Sequence, residues 1–195
     1  MTDPGMFSTM QNDARDVDVV LITHEHADHF HVDSLREVLL HNSNAQVVTN
    51  SAVMKILEKE GISDDVKCHT VGDGEHIDIK GILIEGMGTK HAEIYKEFGQ
   101  VENTGYFIGE KLFYPGDAFY DPERPVDILA LPVSGPWCNM HDAIEYALAV
   151  RPRVAFPVHD AVLINPSMVH QLPGNVLPKE GIQFVVIGVG ESKDL

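Results

Sequence analysis

Apolar residues alternate with polar ones in two different periods along this chain, and the change of period marks its organisation. In the first third, "VDVVLI" (17–22) and "AQVVT" (45–49) are short β-rich runs with apolar side chains on both faces. Between and after them, "VDSLREVLLHN" places Val32, Leu35, Val38 and Leu39 at helical spacing. "NSAVMKILEKEG" has Asn50 or Ser51 as a cap and Gly61 as a stop. Strand, helix, strand, helix is the pattern of an α/β layer with parallel pairing. The middle is different: "VKCHTVGDGEHIDIKGILIEGMG" breaks at the "GDG" hairpin signal and again at Gly81, and "TGYFIGEKLFYPGD" predicts a hairpin turning at Gly109–Lys111. Then come a strand at Ile128–Leu131, a helix over "HDAIEYALAV" ended by "RPR", a strand in "VAFPVHD", a short helix in "NPSMVHQL" and a closing strand in "IQFVVIGVG". No repeat or linker divides the chain, so residues 1–195 read as one α/β domain.

Composition narrows the partners more than the fold. With 30 acidic against 14 basic side chains the formal net charge is −16, a field that repels polyanions and weighs against nucleic acid. Small polyanionic substrates remain open, because bound divalent metal can reverse the potential inside one cleft. Cys68 and Cys138 form no Cys-x-x-Cys pair and suggest no disulfide scaffold. The first residues, "MTDPGMFSTMQNDARD", lack the basic and apolar regions of a secretory signal, and no run is long enough to span a bilayer. The expectation is a cytoplasmic protein.

The chemistry concentrates in "LITHEHADHF", 21–30, where three histidines and an aspartate follow a strand. Loops at the carboxyl ends of strands are the usual place for a site in α/β folds. A loop can turn His24 and His26 toward one ion and Asp28 and His29 toward a second. On a helix, residues i and i+2 would point about 200° apart and could not cooperate. Two ions need more ligands than this loop supplies. The candidates lie at other strand ends: Asp117 after an apolar run and a glycine, His159 just past a strand, and His91 after a glycine loop. Glu25 and Asp160 are candidates to orient imidazoles, and Tyr120, Trp137 and His141 to face a substrate. His31, His41, His69, His76 and His170 read as surface or structural.

"THEHADH", the loop with His91, "PGD" at 115–117 and "PVHD" at 157–160 occur in the order seen in the metallo-β-lactamase superfamily. The stretch from "VENTGYFIGEKLFYPGD" to "RPRVAFPVHD" resembles its branch of general metal-dependent hydrolases, which includes the ascorbate-6-phosphate lactonases. The resemblance covers nearly the whole chain and implies an αβ/βα sandwich. It implies one metal on His24, His26 and His91, another on Asp28, His29 and His159, and Asp117 bridging them. Asp3 in "DPGMF" matches the family's early aspartate, which supports the histidine loop from beneath. Zinc suits these ligands best, and manganese or iron suits the same types.

Two such ions share a water and lower its pKa toward neutrality, for attack on a carbonyl or phosphoryl centre. Asp28 is the candidate to orient that water and relay its proton. A small ester or lactone is the leading substrate class, a phosphodiester the second, and a non-catalytic metal-stabilised binding protein the alternative of a different kind. The chain departs from the family in reaching Asp3 at once, where two or three strands usually come first. The expectation is a shortened first sheet, through an internal start, a tolerated loss or a covering partner, with a homo-oligomer favoured.

Overall fold

The computed structural model describes residues 1–195. Two sheets form its centre. The first contains β1 (Val19–Ile22), β2 (Gln46–Thr49) and β3 (Cys68–Thr70), all parallel and in that spatial order. Parallel neighbours need a crossover, supplied by α1 (Val32–His41), then by α2 (Ser51–Lys59) and the short α3 (Ile62–Asp65). Asn50 caps α2, its side chain accepting from the Val53 amide at 3.0 Å. Met1–Asp3 runs alongside β1, with Thr2 paired to Leu21.

The second sheet has seven strands. β4 (His76–Ile79), β5 (Ile82–Met87), β6 (Gly105–Ile108) and β7 (Leu112–Tyr114) form an antiparallel meander. β8 (Ile128–Pro132), β9 (Val154–Val158) and β10 (Gln183–Phe184) then add in parallel, with α4 (Met140–Val150) and α5 (Ser167–Val176) alongside. Lys80 and Gly81, both at positive φ (56° and 80°), make the two-residue turn between β4 and β5.

Side-chain alternation explains the layering. Val20 and Ile22 of β1 and Val47 of β2 pack against Leu35 and Val38 of α1 and Val53 and Leu57 of α2. The intervening Leu21 and Val48 point the other way and meet Ile79, Ile84 and Tyr106 of the second sheet. On that sheet's outer face Phe107, Phe113 and Leu129 join Ala143 and Ala147 of α4. Helices, sheet, sheet, helices is the αβ/βα sandwich, and strands covered on both faces explain the unbroken apolar runs in the sequence. No helix is long and apolar enough to cross a membrane.

Three expectations change. "GDG" is the passage from the first sheet to the second, not a hairpin, because β3 pairs with β2 and only β4 turns back on β5. The expected strand over 182–190 stops at Phe184. Val185 still donates to the Ala155 carbonyl, but the next bond of a parallel ladder would need an amide hydrogen at position 157, which is Pro157. The helix expected over 165–172 runs on through Pro173 to Val176.

Leu129 is wholly buried between the second sheet and α4. Leu129→Ala should lower the free energy of unfolding by about 2–5 kcal/mol. Urea denaturation checks this, and a loss below about 1 kcal/mol would mean the outer layer collapses to fill the gap.

Candidate metal centre

The centre forms where β1 ends. Thr23 and His24 leave the strand buried, and the loop turns with His29 and Phe30 donating to the His26 carbonyl at 2.9 and 2.8 Å. The N-terminal segment straps this loop: Met6 donates to the Ala27 carbonyl at 2.9 Å and His31 to the Pro4 carbonyl at 3.1 Å. Gly5 lies so close beneath it that a Cβ there would stand 1.7 Å from the Asp28 carbonyl oxygen. Only glycine fits that approach.

Four elements bring seven side chains together. The loop provides His24, His26, Asp28 and His29. His91 sits beyond β5, Asp117 beyond β7 and His159 at the end of β9. Ligand atoms fall within 4.8 Å of one another in three overlapping sets: His24, His26 and His91; His24, His29 and Asp117; and Asp28, His29 and His159. Asp117 lies between the outer two. Its Oδ2 is 3.3 Å from Nε2 of both His91 and His159, and its Oδ1 is 3.1 Å from His29 Nε2. His159 Nε2 is also 3.3 Å from Asp28 Oδ2.

In His24, His29 and His91 the outward nitrogen is fixed by a hydrogen bond, and this sets which nitrogen faces inward; both ring nitrogens of His159 are buried without a partner. His29 Nδ1 donates to Asp3 Oδ2 at 2.7 Å. Thr23 Oγ1 donates to the same oxygen at 2.7 Å, so its lone pair accepts from His24 Nδ1 at 3.0 Å. His91 Nδ1 donates to the Ala92 carbonyl at 2.6 Å. In each ring Nε2 is left pointing into the cluster, the arrangement by which ligating histidines are oriented.

Those inward atoms give the test of whether metal fits. Nε2 of His24, His29, His91 and His159, and Oδ1 of Asp117, are buried without a hydrogen-bond partner. Ion-pair proximity exists among some of them, but not hydrogen-bond geometry. Orphaned buried polar atoms cost roughly 1–3 kcal/mol each. Five converging on one space fit a site for divalent metal, which would satisfy them together, and their donor types are those of zinc and its neighbours.

Electrostatics without metal shows the same crowding. Burial opposes charge on His29, yet Asp3 and Asp117 outweigh it and raise its pKa to about 10. Burial likewise opposes charge on His159, while Asp117 and Asp28 raise it to about 9. His24 is pushed well down by burial and by His29. Asp117 is buried, which would raise its pKa, but the close imidazoles of His159, His29 and His91 hold it far below the carboxylate range. Asp28 is lowered by His159 against the opposing effect of burial.

Around the cluster, Trp137 holds Asp117: its Nε1 donates to Asp117 Oδ2 at 2.8 Å and its ring stands edge-on to His91. Asp3 holds both Thr23 and His29. Glu25 is exposed and bonds no imidazole of the cluster. Asp160 pairs instead with His170 at 2.6 Å, so it orients a histidine outside the centre. His141 is exposed on the first turn of α4. Tyr120 lies against Gly88, and its carbonyl accepts from Tyr146 at 2.6 Å, with no bond to the cluster.

Residues not anticipated from sequence complete the frame. Asn103 accepts from the Asp117 amide at 3.0 Å and donates to the Pro115 carbonyl at 2.9 Å, fixing the "PGD" turn. Gly116 (φ 65°) passes so near that a Cβ would reach 2.4 Å from Asn103 Oδ1. Thr23, polar between an apolar strand and the histidines, was a readable signal. Asn103, 14 positions before Asp117, was not.

Asp3→Asn should weaken zinc binding about 10–100-fold, since it loosens His29 and the Thr23 relay together. Gly5→Ala should do so at least as strongly by displacing Asp28. Chelator competition on folded variants, checked by circular dichroism, measures both. Unchanged affinity in Asp3→Asn would show that the histidines hold their orientation unaided.

Comparison with known proteins agrees with this architecture. The family model described as a β-lactamase superfamily domain matches residues 1–159. Protein Rv0786c of Mycobacterium tuberculosis is 31% identical over 166 residues, 83% of this chain and 75% of that protein. The UPF0173 metal-dependent hydrolase Ta0764 of Thermoplasma acidophilum is 29% identical over 174 residues, covering 82% and 74%. The crystal structure of a protein from Parabacteroides distasonis superposes with a TM-score of 0.73 at 22% identity, over 95% of this chain and 82% of that one. With its αβ/βα sandwich and the histidine–aspartate cluster at the strand ends, the chain belongs to the metallo-β-lactamase superfamily.

Proposed function

We propose that the chain is a metal-dependent hydrolase with two divalent ions, zinc by preference, acting on a small carboxylic ester or lactone. One ion is assigned to His24, His26 and His91, the other to Asp28, His29 and His159. The observation that carries the reading is the placement of Asp117 Oδ2, 3.3 Å from an imidazole of each set. The name carried by relatives such as Ta0764, a metal-dependent hydrolase, supports the reaction class. Two free cysteines and no disulfide fit a reducing compartment, here the cytoplasm.

Ions bound there supply an acidified water and a Lewis acid for the carbonyl oxygen. The remaining work falls to side chains. Asp28, at 26% side-chain exposure, is one of the ligand candidates open to a substrate, with His26, and His159 holds its carboxyl ionised. It takes a proton from the attacking water as the water oxygen bonds the carbonyl carbon. The carbon–oxygen bond to the leaving group breaks, and the proton returns to that oxygen. Trp137 and Asn103 hold Asp117 from two sides throughout. Neither a lysine nor an arginine lines the cavity at Asp28, which favours a neutral ester over a phosphodiester.

Mass-spectrometric metal analysis should find about two ions per chain after dialysis against zinc, and about one in His91→Ala and in His159→Ala. One ion in the wild type would remove the binuclear assignment. Asp28→Asn should lower kcat by about 10²–10⁴-fold on an activated ester. Wild-type turnover in that variant would remove Asp28 from proton transfer, and turnover surviving exhaustive chelation would remove metal from the reaction.

A further inference from the structure

The cavity that opens onto Asp28, His29 and His159 has a volume of about 160 Å³. Its outer wall comes from two segments far apart in sequence, Gly5–Ser8 and Ala161–Val162. At that wall stand Phe7, 59% exposed, and Val162, 41% exposed. Single exposed apolar side chains are ordinary. Two from independent loops, lining one cavity that touches the candidate centre, are a different observation.

Both loops are tied down. Met6 donates to the Ala27 carbonyl at 2.9 Å, and Gln11 Nε2 to the Gly5 carbonyl at 2.9 Å. On the other side Leu163 donates to the Asp160 carbonyl at 3.0 Å, and the Asp160–His170 pair joins that turn to α5. The backbone next to Phe7 and Val162 is therefore held on both sides of the cavity. The charged groups inside the cavity are the carboxylates of Asp3 and Asp28 and the imidazoles of His29 and His159. An anionic substituent would meet the carboxylates of Asp3 and Asp28 and no lysine or arginine, on a chain of net charge −16.

We propose that Phe7 and Val162 form an acyl pocket, which selects neutral esters or lactones bearing an apolar chain of several carbons beside the scissile carbonyl. This rests on the hydrolase reading above and adds the substrate class. The carbonyl is held at Asp28 and His159 while its chain lies against Phe7 and Val162. Burying each methylene raises binding by up to about fourfold until the cavity is full.

Two series test this on zinc-loaded protein. Calorimetry gives Kd for straight-chain alkyl hydroxamates from acetyl to hexanoyl, and kinetics gives kcat/KM for p-nitrophenyl esters of the same acids and for p-nitrophenyl phosphate. Both series should rise with chain length, with the phosphate turned over more slowly than hexanoate. The Phe7→Ser, Val162→Ser double variant should flatten both slopes at unchanged metal content and melting temperature, whereas Phe7→Leu should retain them. Hydroxamates that tighten with length without any ester turnover would support the pocket and remove the hydrolase reading. Ester turnover with a flat series would do the reverse. A slope unaltered in the double variant, faster turnover of the phosphate, or no hydroxamate binding at any length would overturn the pocket.

Discussion

The carboxylate of Asp3 is the joint on which the centre depends. One oxygen accepts the Thr23 amide at 2.8 Å; the other accepts the Thr23 hydroxyl and His29 Nδ1, both at 2.7 Å. Through Thr23 it also determines the proton position on His24. One buried acid thus fixes the end of β1, the tautomer of one imidazole and the orientation of another. Its own backbone sits at φ 43°, a costly conformation for a residue with a side chain. That strain is held in place by pairing of Met1–Asp3 along β1 and by the Gly5 approach to the loop.

The same logic recurs on the opposite side of the cluster. Asp117 is held by Asn103 at its amide and Trp137 at its carboxylate, and His159 is delivered at φ 64° from the end of β9. The two sheets do not meet through metal-ligand candidates alone. Thr104 donates to the Thr23 carbonyl at 3.0 Å and Asn50 to the same oxygen at 2.9 Å, so the loops from both sheets share one backbone acceptor beside the cluster. The inter-sheet core of Leu21, Val48, Ile84 and Tyr106 sets their spacing below it. Packing of the sandwich and geometry of the centre are therefore one problem, solved by residues that touch both.

Much of this was legible because the informative signals were local. The apolar runs of β1 and β2, the caps and stops of α2, and the density of histidine after β1 each depend on a few neighbouring residues. The partners Asp117 and His159 could be picked out because each follows an apolar run at a strand end. What the sequence withheld was tertiary. Asp160 follows His159 and reads as its orienting acid, yet it turns to His170 on α5. "GDG" has the composition of a hairpin turn, but the sheet to which β3 belongs is decided by pairing with β2. Asn103 has no local signature, because its purpose exists only once β6 and β7 lie side by side.

The electrostatics of the whole chain connects the centre to what it can accept. Asp3, Asp28 and Asp117 place three carboxylates within one small volume, among imidazoles that must be neutral to ligate metal. Two divalent cations would turn that local sum from about three negative charges to about one positive, while the outer surface stays acidic. An anion in solution is repelled before it reaches the mouth. A neutral ester, the substrate class proposed above, would not be repelled, and its carbonyl oxygen would gain negative charge only after entering an interior made positive by bound metal. Attraction that begins with bond formation, and not before it, favours the transition state over the ground state. On the proposed reading, the acidic exterior and a cation-binding interior would act together as a filter for uncharged substrates.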